Sequence, residues 1–193
     1  MAPERGAERG SMAEVIDLER FRAKVAADQG FRTWLARFQE QFGPETRLRD
    51  LSPQTLLYLA TPGEENLYVF FDLVMGAQRL GGSARFRLDE MDADAKLKVM
   101  DTAFALVDRV RFDVMRRLGW VEAVPGEETP IIELVRQAWR QEAAFTRQVP
   151  KLSPQHPGYE NYEKLNPLDR AVFIRRLIPK AVAAYRDLVE GEK

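Results

Sequence analysis

Pairs of a short polar residue and a proline recur along the chain, and most stand in front of a stretch with helical periodicity. The pairs are Ser52-Pro53, Thr61-Pro62, Thr129-Pro130, Ser153-Pro154 and Asn166-Pro167. The side-chain oxygen of the first residue can accept a hydrogen bond from a free N–H group of the first helical turn. Proline fits that turn because it has no N–H of its own to satisfy. This pattern predicts a chain built from helices.

The apolar residues that follow these starts return at three- and four-residue intervals. Residues 62–80 are apolar around most of their circumference and predict a buried central helix. Residues 89–118 predict a longer helix that serves as a spine. The predicted fold is an all-α, single-domain bundle of six or seven helices. We expect residues 1–11 to be a disordered N-terminal extension, residues 12–193 to form the domain, and residues 150–167 to be an irregular loop rich in proline and tyrosine.

The composition excludes several classes of function. The chain has no cysteine and one histidine, so disulfides, thiolate nucleophiles and histidine-rich zinc sites are excluded. Lys and Arg number 29 against 30 Asp and Glu, which leaves no basic field for nucleic acid. No apolar run reaches the ~20 residues that a membrane span needs. We therefore predict a cytoplasmic protein without a cofactor, a nucleic-acid partner or a membrane contact.

The acidic stretch at residues 87–101 has two interpretations, a metal site or the start of a helix. Neither Asp89 nor Asp92 begins a calcium loop of the EF-hand type, because the required glycine and the final glutamate are missing. Asp89 is instead a good N-cap, and the acidic residues after it suit the positive end of a helix dipole. We predict a helix start and no metal.

Charged side chains fall within apolar faces at three positions. On a helical wheel of the spine helix, Arg111 lies in the arc that contains Phe104. Glu142 lies near the centre of the apolar arc of a helix predicted at 129–148, and Asp72 interrupts the central helix. A buried charge is costly unless it is paired. Either these residues find partners inside the bundle, or they line a cavity that holds a polar ligand.

The loop at 150–167 contributes His156, Tyr159 and Tyr162 as further candidates. Long irregular segments in compact domains are often functional. The alternative is a stiff strap whose tyrosines pack on the bundle.

Two further patterns each have a structural and a functional interpretation. Arg85 and Arg87, after Gly81-Gly82, are either solvated surface charges or the ligands of an anion at a glycine-rich turn. The aromatic stripe that includes Phe31, Trp34, Phe38 and Phe42 predicts core, with a docking face as the alternative.

The chain contains no recognisable catalytic motif. Our first hypothesis is therefore a non-enzymatic helical protein that works through protein–protein contacts, as an adaptor, a chaperone-like factor or a self-associating module such as a homodimer. The alternative is a helical bundle that binds a small ligand, or an enzyme, with a pocket around Arg111 and Glu142.

Overall fold

Nine α-helices follow one another in a computed structural model that describes residues 17–140 and 148–191. They are α1 Leu18–Gly30, α2 Arg32–Phe38, α3 Pro53–Ala60, α4 Glu64–Ala77, α5 Ala84–Arg87, α6 Ala93–Arg117, α7 Ile131–Trp139, α8 Tyr159–Glu163 and α9 Pro167–Gly191, with 3₁₀ turns at Leu48–Asp50 and Leu88–Glu90. Seven of these helices have seven or more residues, so the predicted all-α bundle of six or seven helices is confirmed. Residues 1–11 lie outside the described chain, and the single-domain interpretation stays a prediction.

Two of the predicted capping residues begin helices as expected. The Ser52 hydroxyl accepts a hydrogen bond from the Thr55 N–H at 3.1 Å, and α3 starts at the next residue, Pro53. The Asn166 side chain accepts one from the Asp169 N–H at 2.9 Å, in front of the long helix α9. Local hydrogen bonding alone therefore accounts for both starts.

The predicted cap at Thr61 is wrong. Helix α4 begins at Glu64 after Gly63, which has no side chain to offer. The Thr61 hydroxyl points the other way and donates a hydrogen bond to the Leu57 carbonyl at 2.7 Å. Thr61 thus ends α3, because a threonine hydroxyl can satisfy a free carbonyl of the preceding turn as well as an N–H of the next one.

The predicted start of the spine helix is three residues too early. Asp92, not Asp89, accepts a hydrogen bond from the Ala95 N–H at 2.9 Å, and α6 runs for 25 residues from Ala93. Asp89 belongs to a 3₁₀ turn, where its carboxylate lies 2.6 Å from the Lys96 ammonium. The hydrogen bond and charge of Lys96 lower the pKa of Asp89.

Helix α4 is the buried central helix that the sequence predicts at 62–80. It contacts α1, α2, α3, α5, α6 and α7. Trp34 is fully buried against it and donates its indole N–H to the Val69 carbonyl at 3.0 Å. Phe31 packs edge-on to Trp34 with ring centroids 5.4 Å apart. These two aromatic residues are therefore part of the core rather than a docking face.

The crossing of α1 and α4 depends on two glycines. A Cβ atom added to Gly76 would lie 2.4 Å from the Gln29 carbonyl oxygen and 2.9 Å from the Gly30 Cα. A Cβ atom on Gly30 would lie 3.2 Å from the Leu73 carbonyl oxygen. The two backbones approach closely because neither glycine has a side chain. This contact sets the distance between α1 and the central helix.

We expect Gly76→Ala to lower the free energy of unfolding by about 1–3 kcal/mol, because the obstacle is backbone and cannot rotate away. Urea unfolding followed by circular dichroism measures it. Gly43→Ala is the matched control, because its Cβ would have no neighbour within 4 Å, and we expect a change of roughly 0.5 kcal/mol or less. Equal midpoints for the two variants would contradict the close crossing.

Candidate functional site: the exposed stripe of α6

Arg111 lies half-buried on α6 and caps the end of a neighbouring helix. Its Nε–H donates to the carbonyl oxygen of Ala60, the last residue of α3, at 3.3 Å. A cation suits the negative end of a helix dipole. Within residues 17–140 and 148–191 the guanidinium forms no ion pair closer than 4 Å. Burial lowers the pKa of Arg111, and the charge of Asp108 opposes that effect.

Two clefts open on either side of Phe104 and share Arg111. The larger, of about 430 Å³, is lined by the α6 residues Asp101, Phe104 and Arg111 and by Ala138 of α7. The smaller, of about 130 Å³, lies between α6 and the α3–α4 connection and includes Pro62. Glu142, the second residue of the predicted pocket, lies outside the described residues. Arg111 therefore lies beside a cleft, and the pocket formed with Glu142 stays a prediction.

One stripe of α6 is exposed although the rest of the helix is largely covered. Its members are Asp94, Leu97, Asp101 and Phe104, and the half-buried Asp108 and Arg111 continue it. They recur at intervals of three and four residues, so they share one face. Leu97 is 56% exposed and Phe104 47% exposed. The helical wheel placed Phe104 in the apolar arc that faces the core, and the structure places it at the edge of that arc instead.

The exposed stripe is acidic. Asp94, Asp101 and Asp108 follow one another at seven-residue spacing. Asp108 is paired with Arg175 of α9 at 3.2 Å. Asp94 and Asp101 are exposed and have no ion pair among the described residues. Two carboxylates on this face are therefore free to meet cationic groups from outside the chain.

Asp72 has local partners that explain its place in the central helix. One carboxylate oxygen accepts a hydrogen bond from the Thr33 hydroxyl at 3.1 Å, and the other accepts one from the Ala84 N–H at 2.7 Å. Asp72 thereby ties α4 to α2 and to the start of α5. Asp72 also lines a separate cleft, which shares no residue with the α6 stripe.

His156 lies against the end of α6. Its imidazole packs edge-on to Trp120 with ring centroids 5.2 Å apart. The Gly158 N–H donates to His156 Nδ1 at 3.0 Å, which places the proton of the neutral ring on Nε2. Burial lowers the pKa of His156. A cleft of about 380 Å³ lies beside the ring, and it is not joined to the α6 stripe by any shared residue.

The two tyrosines of the predicted irregular loop contact each other, and Tyr162 packs against α9. Residues 159–163 form the short helix α8, so this part of the 150–167 segment is regular. Tyr162 is buried, with its ring centroid 5.9 Å from that of Phe173 and 6.2 Å from that of Tyr159. The Arg170 guanidinium lies over the Tyr162 ring at 5.2 Å. His156 and the tyrosines therefore do not converge on Arg111.

Sequence reasoning missed a buried ionic cluster at the C-terminal end of α6. Asp113 is fully buried and pairs with Arg116 at 2.7 Å and Arg117 at 2.9 Å. Arg117 also donates to the carbonyl of Leu51 at 2.9 Å. An aspartate followed by arginines three and four residues later is the signal that could have indicated this cluster.

Arg109 is a second buried charge that sequence reasoning missed. Its side chain is almost fully buried and donates to the Pro125 carbonyl at 3.0 Å. Burial lowers the pKa of Arg109 to about 10; the charge of Asp108 raises this pKa by a smaller amount, and the charge of Arg175 lowers it. The group remains a cation at neutral pH and holds the segment after α6 against the helix.

The described residues form no clustered metal site and no membrane-spanning helix. They contain no group of three or more His, Asp or Glu side chains arranged to hold a metal ion. Among their helices, none combines the length and the apolar character that crossing a bilayer requires.

Comparison of the chain with protein-family models, with curated proteins and with solved structures found no match in any of the three. The site must therefore be interpreted from its own chemistry.

We expect Asp113→Ala to lower the free energy of unfolding by about 3–5 kcal/mol, because it leaves two arginines without their buried carboxylate. Arg111→Leu should cost about 1 kcal/mol, since the structure shows a single hydrogen bond to a carbonyl. Urea unfolding of both variants measures the difference. Equal costs would show that Arg111 has a buried acidic partner after all.

We expect the His156 imidazole to titrate below 6.5, the ordinary value, because burial disfavours its charged form. Its contribution to stability is therefore present above pH 6.5 and is lost as the pH falls through the folded-state pKa. NMR of the imidazole measures the pKa without ambiguity, because the chain has one histidine. The urea-unfolded chain is the control, and the same pKa in both states would contradict the prediction.

Proposed function

We propose that this protein acts through protein–protein contacts and that the α6 stripe is its binding face. The observation that supports this proposal is the exposure of Leu97 and Phe104 on a helix whose other faces are largely covered. Apolar side chains in a groove rimmed by polar groups are typical of protein interaction sites. The proposal assigns no catalytic step, in keeping with the lack of a catalytic motif in the sequence.

The shape of the face favours a helical segment as the occupant. Leu97 and Phe104 are seven residues apart, and the exposed stripe from Asp94 to Asp108 is about 21 Å long at 1.5 Å per residue. A partner helix that lies along this stripe would place apolar residues against it at the same spacing. The cleft of about 430 Å³ beside Phe104 has room for one of those side chains.

The charge of the α6 stripe indicates which charges its partner carries. Asp94 and Asp101 carry free carboxylates seven residues apart, so a complementary helix carries lysine or arginine at that spacing. Arg111 lies at the opposite end of the stripe, where it can receive a carboxylate. A second copy of the chain would bring the free carboxylates of Asp94 and Asp101 close to the same carboxylates of the first copy, so we favour a different, basic amphipathic helix. We place this interaction in the cytosol, in keeping with the absence of cysteine.

A second candidate function is the binding of a small ligand beside Arg111. The observation that favours it is a half-buried guanidinium that lines both clefts and forms no ion pair with the described residues. The ligand would combine an anionic group with an apolar body that lies against Phe104. Native mass spectrometry separates the two candidates: extra mass on the folded chain that is lost on denaturation favours the small ligand.

We expect a synthetic amphipathic peptide with lysines at seven-residue spacing and leucines between them to bind the protein. Its twin with glutamates in place of the lysines should bind more weakly. Asp101→Lys should reverse this preference, with a change of roughly tenfold for each peptide, because an attractive charge pair becomes a repulsive one. Fluorescence anisotropy of labelled peptides measures the affinities.

Two phenylalanine variants test the apolar part of the face. Phe104→Ala should weaken binding of the lysine peptide. Phe86→Ala is the matched control, because Phe86 on α5 is 76% exposed and does not belong to the stripe. Equal binding of the lysine and glutamate peptides, or equal losses in the two alanine variants, would show that the α6 stripe is not the binding face.

A further inference from the structure

A second cleft, of about 780 Å³, lies at the junction of α1, α2 and the turn after α4, away from the α6 stripe. Its walls include Arg32 of α2, Asp72 of α4, and the turn residues Arg79, Gly81 and Ser83. The proposed function makes no use of this cleft. It gathers cationic side chains and a glycine-rich turn in one place.

Three successive residues of the turn, Gly81, Gly82 and Ser83, line this cleft. Gly81 and Gly82 have positive φ angles of 72° and 73°. The amides of Gly81, Gly82 and Ser83 donate no hydrogen bond to a described residue, and all three residues are exposed. Successive free N–H groups in such a turn form a concave site for an anion.

Position 82 requires glycine not only for its positive φ angle but also for lack of space. A Cβ atom at this position would lie 2.4 Å from Cγ of Arg87. The stem of Arg87 therefore passes over the turn and fills the space that a side chain would occupy. Any larger residue at position 82 would meet both the strain of its backbone angle and this contact.

Two arginines of this cleft are free to bind an anion. Arg32 and Arg79 are both exposed, and neither forms an ion pair within residues 17–140 and 148–191. Of the two interpretations of Arg85, the structure favours a surface charge, because Arg85 is half-exposed, pairs with Glu65 and lies over the Tyr68 ring at 5.3 Å. The cations that line the cleft come from α2 and from the end of α4 instead.

Asp72 is the carboxylate in the cleft wall, and it offsets one of the two positive charges. Both of its oxygens are occupied, by the Thr33 hydroxyl and by the Ala84 N–H. The two arginines that line the cleft leave it with one net positive charge after Asp72 is counted. The role of Asp72 is to hold α2, α4 and the start of α5 in place around the turn.

We propose that this cleft binds the phosphate or diphosphate group of a small molecule. Guanidinium groups bind phosphate oxygens with paired hydrogen bonds, and the free amides of the turn supply further donors. The Ser83 hydroxyl, which makes no capping hydrogen bond to α5, completes the set of donors. The site is independent of the α6 stripe, so either proposal can fail without the other.

Inorganic pyrophosphate is the probe, added at constant ionic strength to ¹⁵N-labelled protein. We expect saturable shifts of the Gly81, Gly82 and Ser83 amide signals in NMR spectra. Arg32→Gln and Arg79→Asn should each weaken binding roughly tenfold. Asparagine is chosen at position 79 because Arg79 has a φ angle of 57°, which asparagine tolerates.

Arg186→Gln is the matched control, because it removes one exposed positive charge from α9, which does not line the cleft. We expect its affinity for pyrophosphate to stay within about twofold of the unaltered protein, since Arg186 does not line the cleft and salt screens exposed charges. Shifts that do not saturate, or an equal loss of affinity in the Arg186 variant, would overturn the proposal. Circular dichroism verifies that each variant is folded.

A second arm identifies the source of the phosphate group. Phosphatidylcholine vesicles with phosphatidic acid are compared with vesicles of phosphatidylcholine alone in a sedimentation assay. Retention that Arg79→Asn removes would support the same site with a lipid headgroup as its ligand. Pyrophosphate binding without retention would support the site with a soluble phosphate compound, and the absence of both would exclude it.

Discussion

The buried carboxylate of Asp113 holds the architecture in place. It lies inside the protein at the C-terminal end of α6 and is neutralised by Arg116 and Arg117. Arg117 also reaches the carbonyls of Leu48, Arg49 and Leu51, so the cluster binds the long helix to the segment that precedes α3. Because α6 contacts α3, α4, α7 and α9, the position of its end affects most of the bundle.

Three arginines of α6 serve other parts of the chain. Arg117 donates hydrogen bonds to carbonyls around the first 3₁₀ turn. Arg111 donates to the Ala60 carbonyl at the end of α3, and Arg109 donates to the Pro125 carbonyl after α6. Each gives a hydrogen bond to a carbonyl at the end of a helix or in a connection between helices. The exposed stripe is therefore part of a helix held on several sides, and a binding face on a rigid helix needs little rearrangement.

The two proposed sites lie on different helices and have opposite charge. The α6 stripe offers Asp94 and Asp101, whereas the cleft near α2 offers Arg32 and Arg79. The net charge of −1 does not reveal that acidic and basic groups lie at different sites, because their charges cancel in the sum. The close crossing at Gly76 also affects the second cleft, since Gly76 lines it.

Most of the helices could be predicted from the sequence, because helix starts and apolar periodicity are local properties. Ser52 and Asn166 cap as expected, since each needs partners only three residues away. The errors at Asp89 and Thr61 have one cause, which is that the local sequence allows two capping arrangements. Asp92 caps α6 in place of Asp89, and the Thr61 hydroxyl bonds the preceding turn instead of the following one.

The site was only partly predictable. The sequence indicated Arg111 as a charge beside an apolar face, and the structure places a cleft next to it. The sequence did not indicate that Phe104 is exposed. A helical wheel shows which residues share a face, but it does not show how much of that face the neighbouring helices bury. Asp113 and its arginines were missed for the same reason, since their burial depends on the packing of segments distant in the chain.

The sequence by itself determined that the chain is helical, roughly where its helices lie and that clustered-cysteine chemistry is absent. These follow from local hydrogen bonding, periodicity and composition. Only the tertiary structure decided which stripe of α6 stays uncovered and which arginines cap distant carbonyls. It also decided that Arg32 and Arg79 meet at one cleft. Those outcomes depend on contacts between residues far apart in the chain, which no local pattern records.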